Sequence, residues 1–409
     1  MANPKLRYLE AIPIREDGQQ LVVLRDPLQI SEQMLAVTPA LYGLMMLFDG
    51  RRTPQQVRAE VERVTQQPFS SEDLQSILDQ FDEALFLENE RFAQRHRQLL
   101  EDFRSSSLRE SSHAGQSYPA QAEDLSRLIA DFYAAPQGAG APGKAAAPPP
   151  LALIAPHIDP RLGGPCYTHA YRALAECERP DLFVILGTGH HGLPELFSVS
   201  RKDFQTPLGT AATDREFADR LLENAGDGLF QEDLTHRSEH TIEFQVVFLQ
   251  HLLGSRPFKI LPVLVSFSYL NFQHPSVADQ HRRLFDRFLE ALRRTADQSG
   301  RRICYIASVD LAHIGPRYGD DYRPREEHIE EVRRKDLEML DPLLEGDAAE
   351  FFRYVAEEED RRRICGFSPL YTLYTLLQGR STRILDHSHA QMDETGSFVT
   401  FTSAVIDGE

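Results

Sequence analysis

The sequence predicts an α/β protein with a mainly parallel central sheet flanked by helices, preceded by a small, mostly helical N-terminal domain. From residue 151 onward, short apolar runs alternate with helical stretches, which is typical of a parallel sheet covered on both faces. Before residue 105, apolar residues recur mainly at helical spacing. We therefore predict two domains, residues 1–105 and residues 106–409.

The length and composition fit two folded domains. At 409 residues the chain exceeds the roughly 250–300 residues over which a single hydrophobic core grows. Hydrophobic residues make up 41% and charged residues 26% of the chain, within the globular range. The formal net charge of -18 repels phosphate backbones, so no nucleic-acid partner is expected. Neither a membrane-spanning apolar run nor an N-terminal signal is found, which predicts a cytoplasmic protein.

The N-terminal domain is predicted to combine one short strand, residues 21–24, with three amphipathic helices. Thr53-Pro54 and Ser70-Ser71 mark two of the helix starts. With a closing segment at residues 84–88, this order resembles a winged-helix unit, and the pattern at residues 47–53 resembles the small peptide-binding domains related to the PqqD chaperone. We interpret the apolar stripes as the domain's own core, with a docking role as the alternative.

The larger domain follows a connecting charged helix, residues 88–109, and includes an Ala-, Pro- and Gly-rich stretch, residues 134–150, that is predicted to be a loop. The predicted strands are residues 151–155, 182–186, 258–265, 303–308 and 398–406. The predicted helices include residues 168–174, 214–222 and 276–294.

Chemically active side chains follow three of these strands. His157 comes after the first strand, His190 after the second, and Asp310 and His313 after residues 303–308. Because the carboxyl ends of parallel strands meet at one edge of a sheet, we expect these side chains to converge there. Cys365 precedes a helix start at Ser368-Pro369, where the helix dipole is expected to lower the thiol pKa.

These residues predict a metal site with the ligands His157, His190 and Cys365. Imidazole and thiolate suit Fe, Cu or Zn, and three protein ligands leave a coordination position open for catalysis. Asp310, His313, Asp159 and His240 are then expected to orient ligands or to transfer protons. Taken singly, each histidine is also compatible with an ordinary buried residue, and the cysteine with a small hydrophobe.

The same residues occur within blocks that resemble the ordered motifs of the Memo family, whose bacterial members are often called AmmeMemoRadiSam system protein B. The resemblance covers about residue 110 to the C-terminus. Its blocks are Ser112-His113-Ala114-Gly115, Ala155-Pro156-His157, Gly187-Thr188-Gly189-His190-His191, Thr206-Pro207-Leu208-Gly209, Glu239-His240-Thr241-Ile242-Glu243, Asp310-Leu311-Ala312-His313 and Ile364-Cys365-Gly366.

The resemblance implies a fold akin to class III extradiol ring-cleaving dioxygenases, which bind non-haem iron. It assigns the metal to His157, His190 and Cys365, with Fe(II) as the expected cofactor and Cu or Zn as alternatives. It also implies radical SAM and AMMECR-type proteins as partners. Where the family usually continues Pro-His-Ala-Gly-Tyr, this chain has Pro156-His157-Ile158-Asp159-Pro160-Arg161, so substrate preference does not transfer, and Asp159 is a further candidate ligand.

We therefore expect a metal-dependent redox enzyme in which the metal activates O2 or a bound substrate, with His313 and Asp310 transferring protons. One alternative is an adaptor that retains the metal crevice but not turnover, suggested by the peptide-binding-like N-terminal domain. Another is a hydrolase with a Zn-bound water and Asp310 or His313 as the base.

Overall fold

The computed structural model describes residues 3–16, 18–193, 195–226 and 234–408. The chain divides into two compact units, Met1–Ser105 and Ser106–Glu409. The first unit has one hydrophobic core, and the second has two, one on each face of its large sheet. Among the described residues, no helix is both long enough and apolar enough to cross a membrane.

The first unit combines a three-stranded antiparallel sheet with four helices. Its strands are β1 Glu10–Glu16, β2 Gln19–Arg25 and β3 Met34–Val37. Its helices are α1 Pro39–Met45, α2 Pro54–Thr65, α3 Ser71–Glu83 and α4 Glu90–Ser105. The sequence predicted only one strand here, because Pro13 and the charged ends of β1 mask that strand's apolar residues.

Two helix starts of this unit follow the predicted capping chemistry. Thr53 accepts a hydrogen bond from the Gln56 amide and forms a capping box before α2, and Ser70 caps α3. In the closing segment, residues 84–88, Phe86 and Leu87 are buried in the core of the unit. The winged-helix resemblance stays a prediction.

The second unit contains the remaining helices and strands. Its strands are β4 Leu108–Arg109, β5 Ala152–Ala155, β6 Leu182–Thr188, β7 Phe197–Val199, β8 Asp203–Thr206, β9 Gly209–Thr213, β10 Lys259–Val265, β11 Ile303–Ser308, β12 Asp310–Ile314, β13 Arg383–Gln391 and β14 Phe398–Ile406. Its α-helices are α5 Ala122–Ala134, α6 Pro160–Ala175, α7 Arg215–Ala225, α8 Thr235–Ser238, α9 Thr241–Leu253, α10 Leu270–Gln273, α11 Ala278–Ser299, α12 Glu326–Leu344, α13 Ala348–Glu357 and α14 Phe367–Leu377.

The second unit is built around a large sheet whose central strands are parallel. Along the order β5-β11-β6-β10, every neighbouring pair is parallel. Antiparallel strands extend this core: β14 pairs with β5, and β12 and β13 pair with β14. The mixed α/β class with a parallel core is confirmed, whereas the antiparallel strands β12 and β13 were not predicted.

Helices cover both faces of this sheet. Because successive side chains of a strand point to opposite faces, Val184 contributes to the core under α7, α11 and α14, and Ile185 to the core under α5, α6 and α9. Residues 182–188 are all buried, as a strand packed on both faces requires. The loops after β5 and β6 are thereby fixed on a rigid support.

Candidate metal centre

Three histidines from separate elements meet at the carboxyl ends of β5 and β6. His157 follows β5, His190 follows β6, and His240 immediately precedes α9. One ring nitrogen from each lies within 4.8 Å of the other two. The ring centroids are 5.0 to 5.5 Å apart. The predicted convergence of His157 and His190 is therefore present, and His240 joins them.

The hydrogen bond of His157 determines which ring nitrogen is available to a ligand. Its Nδ1 lies 2.9 Å from the carbonyl oxygen of Ser308. A carbonyl can only accept, so Nδ1 carries the proton and Nε2 keeps its lone pair. His157 is 2% exposed, so this orientation is held by the surrounding protein.

One buried carboxylate, Glu239, orients the other two imidazoles. Its Oε1 lies 3.1 Å from Nδ1 of His190 and 3.1 Å from Nδ1 of His240. Its oxygens also accept hydrogen bonds from the backbone amides of both histidines. Because Nδ1 of each ring faces a carboxylate, Nε2 of each is the nitrogen that would bind a metal ion, which is the usual arrangement of metal-binding histidines.

The protonation of the three rings differs with their surroundings. Burial and the neighbouring imidazoles hold the pKa of His157 well below its usual range, and burial also lowers the pKa of His240. Burial acts in the same direction on His190, but the Glu239 carboxylate and Cys365 together outweigh it and raise the pKa of His190 well above its usual range. Two rings are therefore neutral at neutral pH, and a proton resides on the His190–Glu239 pair.

Cys365 brings its sulfur to this cluster. Its Sγ lies 3.2 Å from Nε2 of His157, and it also hydrogen-bonds His190. The expectation that the start of α14 lowers the thiol pKa is wrong for this structure: burial raises the pKa of Cys365, and the contact with His190 opposes this only in part. Gly366, the next residue, allows the backbone to lie close to the Asp310 carbonyl oxygen, since a Cβ on Gly366 would lie 2.5 Å from that oxygen.

Asp310 lies beside His157, on the short strand β12 rather than in a loop. Its Oδ1 accepts hydrogen bonds from the amides of His157 and Ile158, at 2.9 and 3.0 Å. Its Oδ2 lies 3.6 Å from Nε2 of His157. Burial raises the pKa of Asp310 to about 7, which those two amides oppose only in part. One oxygen of this carboxyl group is therefore used structurally, and the other faces the imidazole.

His313 is also on β12, but its ring makes its contacts elsewhere. Nδ1 lies 3.0 and 3.1 Å from the carbonyl oxygens of Leu311 and Arg363, and Tyr318 packs edge-on against the ring. Burial lowers the pKa of His313 to about 4. Within the described part of the chain, it does not belong to the group of three close imidazoles.

Asp159 does not serve as the additional ligand that the sequence suggested. Its carboxylate caps α6 by accepting a hydrogen bond from the amide of Arg161. The same carboxylate pairs with the Arg161 guanidinium at 2.6 Å. Both residues that depart from the family pattern thus bind each other at the start of α6.

A second carboxylate on α9, Glu243, anchors the segment before α5. It is fully buried and accepts hydrogen bonds from Arg109, from Tyr118 and from the amides of Ser112 and His113. Burial raises the pKa of Glu243, but the Arg109 guanidinium together with His113 and Tyr118 outweighs this effect, and the net pKa is strongly lowered. Glu243 thereby fixes the segment that includes His113.

The sequence analysis gave no role to Glu239, Glu243 or Arg109. The two acids are four residues apart, around His240, with Glu239 in extended backbone before α9 and Glu243 in the first turn of α9. That spacing, next to a histidine, was the available signal. This spacing does not single out a functional pair by itself, because acidic residues near helix starts are common and usually exposed.

The donor set fits a transition-metal ion. Nitrogen and sulfur donors about 2.0 and 2.3 Å from one ion lie roughly 3.5 Å apart in tetrahedral geometry. The observed 3.2 Å between His157 Nε2 and Cys365 Sγ agrees with this spacing, and the three histidine nitrogens lie within 4.8 Å of one another. Side-chain exposures of 31% for His190 and 29% for His240 leave one side of the cluster open.

Comparisons with known proteins identify the larger unit. Residues 109–405 match the family model of Memo-like proteins. A MEMO1 family protein of Aquifex aeolicus is 28% identical over 99% of this chain and 100% of its own length. Another from Aeropyrum pernix is 30% identical over 71% of this chain and 95% of its own length.

A solved structure of an uncharacterized protein from Escherichia coli K12 is also similar. It is 15% identical, covers 62% of this chain and 98% of its own, and has a TM-score of 0.38, which is too low to support an argument. The family model spans all the histidine, carboxylate and cysteine side chains of the cluster. The chain belongs to the Memo family.

Proposed function

We propose that this Memo-family chain is a metal-dependent redox enzyme that holds Fe(II), or Cu, at the histidine cluster. The observation that carries the proposal is the convergence of three imidazole nitrogens, with the Cys365 sulfur 3.2 Å from Nε2 of His157. A bound ion would supply redox and Lewis-acid chemistry at its open coordination position. The relation to extradiol dioxygenases belongs to this proposal.

His157, His190 and Cys365 are the proposed ligands, as the sequence analysis predicted. His157 is buried and Cys365 is partly buried, so they form the inner part of the site. His190 and His240 are about one-third exposed and form its outer part. His240 is therefore either a fourth ligand or the group that a substrate meets first.

Asp310 and His313 are the proposed groups for holding and moving protons. Of these two groups, Asp310 lies nearer to the proposed ligands, because its Oδ2 atom faces Nε2 of His157 at 3.6 Å. His313 has its Nδ1 directed at two carbonyl oxygens, so only its Nε2 is available for exchange. We therefore assign the first proton transfer to Asp310.

A zinc-dependent hydrolase is the second candidate function. Three imidazoles with an open position suit zinc, which would bind them after His190 releases its extra proton, and zinc lowers the pKa of a bound water to about 7. The three-histidine group of this site matches that donor set without the cysteine. In this candidate, Asp310 would serve as the general base for the bound water.

The test is the metal content of protein purified without oxygen, measured by mass spectrometry on wild type and on single variants. We expect near-stoichiometric Fe or Cu in wild type and its loss in His190→Ala and Cys365→Ser. Matched controls are His169→Ala and Cys177→Ser, whose side chains hydrogen-bond to nearby carbonyl oxygens, those of Gln137 and Ala173. These controls are expected to retain the metal.

The outcome also separates the two candidate functions. Zinc in wild type that persists in Cys365→Ser but is lost in His240→Ala would favour the hydrolase. Metal content that is the same in wild type, His190→Ala and His240→Ala would contradict both candidates.

A further inference from the structure

The loop that delivers Cys365, between α13 and α14, has an unusual backbone. Three of its residues, Glu359, Asp360 and Arg363, have positive φ angles of 53°, 48° and 56° although none is glycine. Left-handed backbone is unfavourable for such residues and persists only where surrounding contacts hold it. The loop therefore depends on contacts outside itself.

Arg362 supplies the strongest of these contacts. It is 5% exposed, and its guanidinium pairs with Asp336 on α12 and with Glu358 at 2.9 Å. Asp336 is fully buried and also accepts hydrogen bonds from Thr400 on β14, at 2.5 Å, and from Nε2 of His387 on β13, at 3.1 Å. A single carboxylate thus links the loop to a helix and to two strands.

This network reaches the residues of the metal centre through the backbone. The carbonyl oxygen of Arg362 accepts a hydrogen bond from the His313 amide at 2.7 Å. The Oγ1 of Thr400 accepts one from the amide of Ala312 at 2.9 Å. Strand β12 and the loop are therefore both held to Asp336, and Cys365 follows Arg362 by only three residues.

We propose that Asp336 and Arg362 are positioning residues that hold Cys365 within reach of His157 and His190. The inference rests on the proposed function, since Cys365 is a metal ligand only there. Asp336 and Arg362 do not touch the metal position; they act through the loop backbone. Without their ion pair, the left-handed residues lose part of their restraint, and the sulfur moves away from the imidazoles.

The experiment compares Asp336→Asn and Arg362→Lys with the control Arg361→Lys. Asparagine retains the shape of the aspartate, and lysine retains the charge of Arg362 but cannot contact Asp336 and Glu358 together. Arg361 is the adjacent arginine, which is exposed and pairs with Glu359 on the surface. The folded state of each variant is verified by thermal unfolding.

Two readouts separate positioning from general stability. In metal-free protein, the alkylation rate of Cys365 by iodoacetamide, followed by peptide mass spectrometry, reports where the loop lies. In Co(II)-loaded protein, a thiolate-to-metal charge-transfer band reports bonding of the sulfur. We expect both variants to alter the alkylation rate, to lose the band and to bind Co(II) about 10–100-fold more weakly. Arg361→Lys should match wild type in both readouts.

Failure of this inference can be distinguished from failure of the proposed function. A charge-transfer band and an alkylation rate equal to wild type in folded Asp336→Asn and Arg362→Lys would overturn the positioning role while leaving the metal site intact. If neither variant folds, the network serves stability alone, and the positioning role is overturned in that case too. Wild type that binds Co(II) without the band would refute Cys365 as a ligand, and the inference with it.

Discussion

Replacement of Glu239 by glutamine is expected to weaken metal binding while leaving the protein folded. Glu239 accepts a hydrogen bond from Nδ1 of His190 and from Nδ1 of His240, both at 3.1 Å. Loss of one such hydrogen-bond partner behind a metal ligand lowers metal affinity about 10–100-fold. Because one carboxylate serves two rings, we expect a loss near 100-fold, equivalent to about 2.7 kcal/mol.

The assay is competition with a chelator for Fe(II) or Co(II), performed on folded protein at neutral pH. Glu243→Gln is the matched control, since the same chemical change is made four residues later, in the first turn of α9, where the carboxylate pairs with Arg109. We expect each variant to lose a different property relative to wild type. Glu239→Gln should lose affinity with little change in stability, and Glu243→Gln should lose stability with little change in affinity.

Equal metal affinity in Glu239→Gln and wild type would refute the reasoning, because the orientation of His190 and His240 would then not depend on Glu239. An equal loss of affinity in the two variants would also refute it. In that case, metal binding would report only the general integrity of α9.

Three further expectations concern stability and ligand placement. Glu243→Gln should lower the free energy of unfolding by about 3–5 kcal/mol at neutral pH, because it leaves the buried Arg109 guanidinium without its carboxylate partner. The pKa of Glu243 is lowered in the fold, so its stabilisation is present above the ordinary glutamate pKa and is lost as pH falls. Chemical denaturation should therefore show that the difference in free energy of unfolding between Glu243→Gln and wild type narrows below about pH 4.3. Gly366→Ala should displace Cys365, because the new Cβ would lie 2.5 Å from the Asp310 carbonyl oxygen, and loss of the Co(II)–thiolate band would verify this. Metal at 100 times its Kd should raise the free energy of unfolding by about 2.7 kcal/mol, and calorimetry with and without chelator measures this gain.

The parts of the fold that sequence reasoning predicted are those with strong local signals. The four central strands are short apolar runs bounded by polar turns, and residues 182–188 are buried throughout. Their carboxyl ends meet by topology alone, so the closeness of His157 and His190 followed once the strands were recognised. The position of Cys365 was suggested by a helix start and by the family resemblance.

The missed features depend on tertiary structure. Helix α9 is buried on nearly every side, so its apolar residues show no helical stripe that the sequence could reveal. Glu239 looks like an ordinary acidic residue until His190 is brought from β6 onto its carboxylate. The thiol pKa of Cys365 was expected to be lowered by the helix dipole, but burial is the larger effect.

X-ray absorption of the metal-loaded protein tests the central claim most directly, because it counts the atoms bonded to the ion. The claim is that Cys365 and the imidazoles of His157 and His190 bind one ion. In wild type we expect one sulfur at about 2.3 Å together with nitrogens at about 2.0–2.1 Å, and in Cys365→Ser we expect the sulfur to be absent. A wild-type spectrum with only nitrogen and oxygen neighbours, or a sulfur that persists in Cys365→Ser, would contradict the account.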